Sequence, residues 1–495
     1  MIFRLRLVLA ALAGALAAFG QEPYGWPLLM VAGMAGVIFL WHSKDTPLRA
    51  ALMGWAFGTG YFIHALQWIV SPFLVDVARH GWMAPFALLF MGAGLALFWG
   101  AAFWSARKLS PRPWPLIVTW SAAELLRAYV FTGFPWAMPA QSTVDVLAGQ
   151  ALAHFGPYAI NLWLISVCVV LIWGLRARRS GQIAAGVAGF GALFALILPP
   201  GLPAQAGLDM PVIRLIQPNA AQHEKWNPEK IPVFYDRQLQ LTSAAPLGDR
   251  PPPDLILWSE TAIPWAIDLA GSALEEIARA GGDATVALGA QRRTETRYFN
   301  SMVTLDGQGG VKQAYDKHHL VPFGEYMPLG DLLARIGIFG LAAQHGNGYS
   351  SGPGAMLLDF GVLGKALPLI CYEAVFPHDV NAAPERPDFL IQITNDAWFG
   401  RGAGPRQHLA QARMRAIEQG LPLARAANTG ISAMIDPYGR VTAAIPLNQA
   451  GFVDAPLPSP LRATLYSRTG DLPFALLLVL LLAAAAVRKG RRNSD

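Results

Sequence analysis

Seven long apolar runs fill the first 200 residues, near 5–20, 25–41, 50–70, 83–105, 114–130, 158–175 and 182–198, and an eighth lies near 472–487. A bilayer core takes about 20 mostly apolar residues per helix, with about 17 to 25 tolerated. The runs therefore predict a polytopic α-helical membrane domain of about eight spans. Only 14% of the residues are charged, against about 25% in an ordinary soluble domain. The first run follows Arg4 and Arg6 and ends in small residues, which also fits a signal peptide.

Short cytoplasmic loops carry an excess of Lys and Arg. Eight alternating spans gather Arg4, Lys44, Arg107, Arg176, Arg179 and Arg488, with their basic neighbours, on one side; the opposite short loops offer little beyond Arg79. Both termini are thus expected in the cytoplasm, with the segment between spans seven and eight facing outward. In a bacterium with two membranes that side is the periplasm. Residues 200–471 hold 22 Lys and Arg against 26 Asp and Glu, a net of −4 that leaves +10 for the membrane part. The basic balance of the whole chain reflects topology and argues against nucleic-acid binding.

The expected organisation is a membrane domain over 1–200, an α/β domain over 205–470 and a C-terminal span over 471–490. In the middle segment, strand candidates start at Val212, Asp254, Thr285, Asn300, Ala366, Asp388, Pro422 and Ile431, and helix candidates lie near 229–243, 271–280 and 406–419. Strands so rich in β-branched residues suit burial on both faces of a layered α/β fold. The Pro-rich stretches LPPGLP at 198–203 and APLPSPL at 455–461 read as linkers.

Of two cysteines, Cys168 falls inside the sixth span and Cys371 in the outward segment, so a disulfide between them is not expected. A lone cysteine there points to a reactive thiol. Reactive groups in layered α/β domains gather where strands end, and three such ends carry unlike chemistry: WSE closes at Glu260, AYDK at Lys317 and LICYE at Cys371. A thiol with a pKa near 8.5 needs a base to become nucleophilic, a role Glu260 suits. The oxyanion formed by attack on an acyl carbonyl needs a positioned cation and backbone amides, for which Lys317 and the amide of Tyr372 are candidates.

The order WSE, DKHHLVPFGE, CYE resembles the Glu-Lys-Cys order of the nitrilase superfamily. With eight spans around it, the chain is similar to one branch, the apolipoprotein N-acyltransferases. KW at 225–226, NDAWFG at 395–400, GPRQH at 404–408, RAANTGIS at 425–432 and TGFPW at 132–136 extend the resemblance nearly end to end. It implies a nitrilase-like αββα sandwich and ping-pong transfer of a fatty acyl chain from a membrane phospholipid, through a Cys371 thioester, to the α-amine of a diacylglyceryl-cysteine apolipoprotein. Glu325 becomes a second acid that holds Lys317 or relays protons, Glu373 a supporting residue, and Trp226, Trp398 and Phe399 lid or lipid contacts. No metal or organic cofactor is implied, and oligomeric state is not addressed. His318 and His319, expected to point opposite ways on a strand and without a carboxylate pattern, read as solvated or supporting residues. Glu124 and Arg127 read as a structural pair. A membrane-tethered amidase using the same triad is the alternative; a transporter or sensor is disfavoured by the scarcity of paired intramembrane charges.

Overall fold

The computed structural model describes residues 2–199, 210–248, 250–328 and 348–494. By their contacts they form two compact units: residues 1–202, 402–410 and 464–495 in the first, and 203–401 with 411–463 in the second.

The first unit is helical. Helices occur at all eight apolar runs: Ile2–Ala17, Pro27–Phe39, Pro47–Ala65, Ala84–Leu109, Leu116–Tyr129, Leu152–Leu175, Arg179–Ile197 and Leu472–Ser494. Five segments among the described residues are long and apolar enough to cross a membrane: Phe3–Gly20, Val77–Leu109, Leu147–Leu175, Arg179–Ile197 and Leu472–Lys489. Pro27–Phe39 and Leu116–Tyr129 are shorter, with 13 and 14 residues.

Small residues set the spacing of these helices, as helix packing in lipid requires. The Leu152–Leu175 helix breaks at Gly156, whose φ of 71° precedes Pro157 and whose missing Cβ leaves room for the Tyr466 ring. Glu124 and Arg127 pair as expected at 2.8 Å, both fully buried, and the Trp99 indole donates to Glu124 Oε1 at 2.7 Å. Arg127 also donates to the Trp136 carbonyl at 2.8 Å, so neither charge is left unsatisfied.

Among the described residues, the second unit contains two six-stranded sheets. The first sheet runs β12 (Gly451–Pro456), β1 (Val212–Gln217), β2 (Leu255–Leu257), β3 (Thr285–Arg293), β4 (Tyr298–Leu305), β5 (Val311–Asp316). The second runs β11 (Val441–Ile445), β10 (Ser432–Ile435), β9 (Leu423–Ala427), β8 (Phe389–Thr394), β7 (Lys365–Ile370), β6 (Leu358–Asp359). Both have parallel centres, β1-β2-β3 and β7-β8-β9. Their strands are buried on both faces, as their apolar runs predict.

Ile213, Leu257 and Met302 from the first sheet share one core with Ile370, Ile391 and Ala426 from the second, so the sheets pack face to face. Ile256, Trp258 and Leu288 turn the other way, against Tyr235 of the Ile231–Ser243 helix and Leu274 of the Gly271–Gly281 helix. This gives the α/β sandwich that the middle segment suggests.

Three strands are absent from the sequence reading, β6, β11 and β12, and β5 is marked there only by its end at Lys317. APLPSPL is not wholly a linker, because Ala455 and Pro456 pair with Ile213 and Val212. Most of LPPGLP lies outside the described residues.

Because β4 reverses the chain between β3 and β5, β5 runs in the same direction as β2. Glu260 and Lys317 therefore leave the first sheet at the same edge. Cys371 and Asn395 leave the second sheet at the carboxyl ends of its parallel strands β7 and β8.

Candidate active site

Cys371 begins a tight turn over Cys371–Val375, directly after β7, with φ of +50°. A left-handed backbone at a residue with a Cβ is strained and persists only when its surroundings hold it. Glu373 supplies one such hold, accepting from the Ile370 amide at 2.7 Å, while Gln392 Nε2 donates to the Cys371 carbonyl at 3.1 Å.

Glu260 and Lys317 are drawn into one buried polar cluster with Glu325. Lys317, 1% exposed, places Nζ 2.8 Å from Glu325 Oε2 and 3.8 Å from Glu260 Oε1. The Asn300 amide donates to both acids, at 2.6 Å to Glu260 Oε1 and 3.0 Å to Glu325 Oε1. The backbone amides of Asn395 and Val321 complete the set, each at 2.8 Å, to Glu260 Oε2 and Glu325 Oε2. Gly289 permits this placement of Glu260, since a Cβ there would lie 2.6 Å from the Glu260 Cα.

The electrostatics follow from burial and like charge. Burial raises the Glu260 carboxyl above its ordinary range, Lys317 opposes that rise, and the nearby Glu325 adds to it. Burial disfavours the Lys317 ammonium, but Glu325 and Glu260 outweigh it and the lysine stays charged. Burial also pushes the Cys371 thiol well up, with the Glu260 charge adding and Lys317 opposing. A thiol so placed holds its proton at rest and needs an adjacent acceptor when it attacks.

The remaining expected residues are less central. Glu373, fully buried, lies within the cysteine turn, where its Oε1 accepts from the Tyr315 hydroxyl at 2.7 Å. The Tyr372 ring packs edge-on against Phe376 and His319. Phe399 is half-buried against the core that includes Cys371, and Trp398 is half-buried in the same Asp396–Phe399 turn. Trp226, 38% exposed, lines a cavity with Lys225, Phe234, Tyr235 and Ser259, the residue before Glu260. Its neighbour Lys225 is buried and donates to the Glu260 carbonyl at 3.2 Å; burial brings that lysine down to about 8 although Glu260 favours its charge.

Three site residues escape the sequence reading. Asn300 opens the NSMVTL strand candidate without any mark of chemistry; Asn395 lies in the quoted NDAWFG, but its amide contact does not follow from that motif. Lys225, within KW, is drawn in by tertiary packing.

The histidines depart from expectation. They lie beyond β5, not on a strand, and both face acids: His318 Nδ1 is 2.8 Å from Glu373 Oε1, and His319 Nδ1 is 2.7 Å from Asp379 Oδ2. His319, His378 and Asp379 have donor atoms within 4.8 Å of one another, a spacing that could admit a metal ion. Asp379 already hydrogen-bonds His319 Nδ1, with His318 Nε2 at 3.8 Å and His378 Nε2 at 3.6 Å.

Comparison with known proteins decides the family. The carbon-nitrogen hydrolase family profile matches residues 228–465, and that of the apolipoprotein N-acyltransferase N-terminal domain matches residues 13–170. The apolipoprotein N-acyltransferase of Rhodopseudomonas palustris is 37% identical, over 98% of this chain and 95% of its own length. The chain belongs to the apolipoprotein N-acyltransferase family. The family's protein from Brucella melitensis is also 37% identical, over 97% of this chain and 95% of its own. A solved CN-hydrolase superfamily protein from Xanthomonas campestris covers 54% of this chain and 96% of its own, with 20% identity and a TM-score of 0.36. Family membership rests on the sequence matches alone. In this apolipoprotein N-acyltransferase family member, the matched hydrolase region contains Glu260, Lys317, Glu325 and Cys371.

Proposed function

We propose that this chain acylates apolipoproteins, taking a fatty acyl chain from a membrane phospholipid and passing it through a Cys371 thioester to the α-amine of an N-terminal diacylglyceryl-cysteine. The observation that carries this reading is the near full-length match to apolipoprotein N-acyltransferases, which joins an apolar helical region to a hydrolase region in one chain. A tethered amidase leaves the first 200 residues without a task, since one span suffices as an anchor.

In the first step Glu260 takes the Cys371 proton as sulfur attacks the ester carbonyl. Negative charge moves to the carbonyl oxygen, where the Lys317 ammonium and the Tyr372 amide stabilise it. Collapse breaks the ester C–O bond, and Glu260 returns the proton to the departing lysophospholipid. In the second step the lipoprotein amine attacks the thioester, Glu260 takes the amine proton, the C–S bond breaks, and Glu260 hands that proton to the departing sulfur to regenerate the thiol. Glu325 holds Lys317 between the two acids, so that its charge is already in place when the oxyanion forms.

Lipid physics suits the arrangement. At about 0.8 kcal/mol per CH₂, drawing a sixteen-carbon chain into water costs on the order of 12 kcal/mol, so the donor is met in the bilayer. Eight spans with both termini cytoplasmic put the second unit in the periplasm of a bacterial inner membrane. Trp226, Trp398 and Phe399 shield the thioester from water. The test is transfer of a palmitoyl group from phosphatidylethanolamine to a synthetic diacylglyceryl-cysteine peptide, followed by mass. The wild-type protein makes the triacylated peptide and Cys371→Ala makes none. Normal transfer by that variant overturns the mechanism.

A further inference from the structure

Behind the Cys371 turn lies a second ionisable cluster that these steps do not use. β5 ends at Asp316, so the segment from Lys317 to His319 has no strand to hold it against the second sheet. The Lys317 backbone is anchored by both its groups, its amide donating to the Asn300 carbonyl at 2.9 Å and its carbonyl accepting from the Gly352 amide at 2.8 Å. Beyond it, the backbone amides of His318 and His319 both donate to Glu373 Oε1, at 2.9 and 3.3 Å. Glu373 Oε2 meanwhile accepts from Ile370, the residue before Cys371. One carboxylate thus ties the lysine segment to the cysteine turn.

Asp379, on the short Pro377–Asn381 helix, makes the second tie through side chains. It accepts from His319 Nδ1 at 2.7 Å and lies 3.8 Å from His318 Nε2, so His318 sits between Asp379 on one side and Glu373 on the other. His319 is pressed between this contact and the Phe376 ring, stacked at 3.8 Å. The groups facing His318 are Tyr315, Glu373, Asp379 and the adjoining Lys317 and His319; His378 Nε2 lies 3.6 Å from Asp379.

We propose that Asp379 is a positioning residue for acyl transfer: with Glu373 it fixes His318 and His319, and thereby sets the Lys317 ammonium relative to the Cys371 sulfur. The charges agree with the geometry. Burial disfavours the His318 imidazolium, yet Asp379 and Glu373 outweigh it and hold it up to about 10; burial likewise works against the Asp379 carboxylate, yet the two histidines bring it down to about 2. Near neutral pH the set is therefore an imidazolium clasped by carboxylates. The loss of Asp379 leaves His318 with one acid instead of two.

The inference rests on the acyltransferase reading for its effect on rate, but not for its effect on the thiol. Lys317 is the cation that counters the upward push on Cys371, so a displaced Lys317 makes the thiol harder to ionise. The experiment compares full-length wild type, Asp379→Asn and Asp379→Glu in detergent, following alkylation of the Cys371 peptide by iodoacetamide against pH, without substrate. Transfer from phosphatidylethanolamine and the melting temperature are measured beside it.

For Asp379→Asn the alkylation profile shifts to higher pH, kcat falls about tenfold and KM for the phospholipid holds within about twofold, the pattern of a misplaced catalytic group. Asp379→Glu recovers most of the rate. If Asp379→Asn does not fold, Asp379→Ser is read in its place, and a shifted profile supports the proposal while an unshifted one overturns it. An unchanged profile in folded Asp379→Asn overturns it, whether or not the melting temperature falls. A shifted profile in a protein that transfers no acyl group in any form upholds the positioning role and overturns the acyltransferase reading instead.

Discussion

Asn300 shows how one neutral side chain sets the working range of a charged site. Its amide bridges Glu260 and Glu325, and its hydrogen bond favours the Glu260 carboxylate, against the burial that raises it. As a base Glu260 must be ionised, so activity falls as pH drops through its raised pKa, above the ordinary carboxylate range. Asn300→Ala removes a restraint on that rise. Its expected effects are an acid limb of kcat/KM displaced to higher pH and a rate at neutral pH lowered by roughly 10 to 100-fold, the worth of a hydrogen bond to a charged group. A pH–rate profile coincident with wild type contradicts this role.

The elements of the second unit explain why the candidate triad was legible and its supports were not. Glu260, Lys317 and Cys371 sit just past the ends of β2, β5 and β7, two of them closing plainly apolar runs, so sequence alone marks them. Asn300 reaches Glu260 across 40 residues, and Asp379 reaches His319 across 60; no local pattern encodes such pairings. β12 escaped for a different reason. Its Pro456 mimics a linker, but it lies at the end of an edge strand, where a missing N–H costs little. β3 makes an exacting contact, passing so close to Glu260 that Gly289 tolerates no side chain. Gly289→Val is expected to displace Glu260, at a cost of about 1 to 3 kcal/mol in stability and with loss of about 10²-fold or more in kcat. A variant that melts lower but turns over normally shows that β3 does not set the base.

At the scale of the whole molecule, the apolar runs were readable as helices because bilayer thickness acts on composition. All eight runs are helical, while five segments among the described residues meet the length and apolarity of a span. The short Leu116–Tyr129 helix devotes Glu124 and Arg127 to an internal pair, which a hydropathy reading does not separate from a crossing. The proposed topology predicts that green fluorescent protein fused to the C-terminus fluoresces, because it folds in the cytoplasm, whereas alkaline phosphatase fused there is inactive. The reverse result places that end outside and removes the even number of spans.

The central claim is the covalent intermediate at Cys371. The measurement that tests it is the intact mass of the purified protein after incubation with a phospholipid mixture and no acceptor, beside Cys371→Ala. The account predicts a gain of one fatty-acyl mass in the wild type, removed by hydroxylamine and absent from the variant. The same adduct on Cys371→Ala, or its survival in hydroxylamine, contradicts a thioester at Cys371.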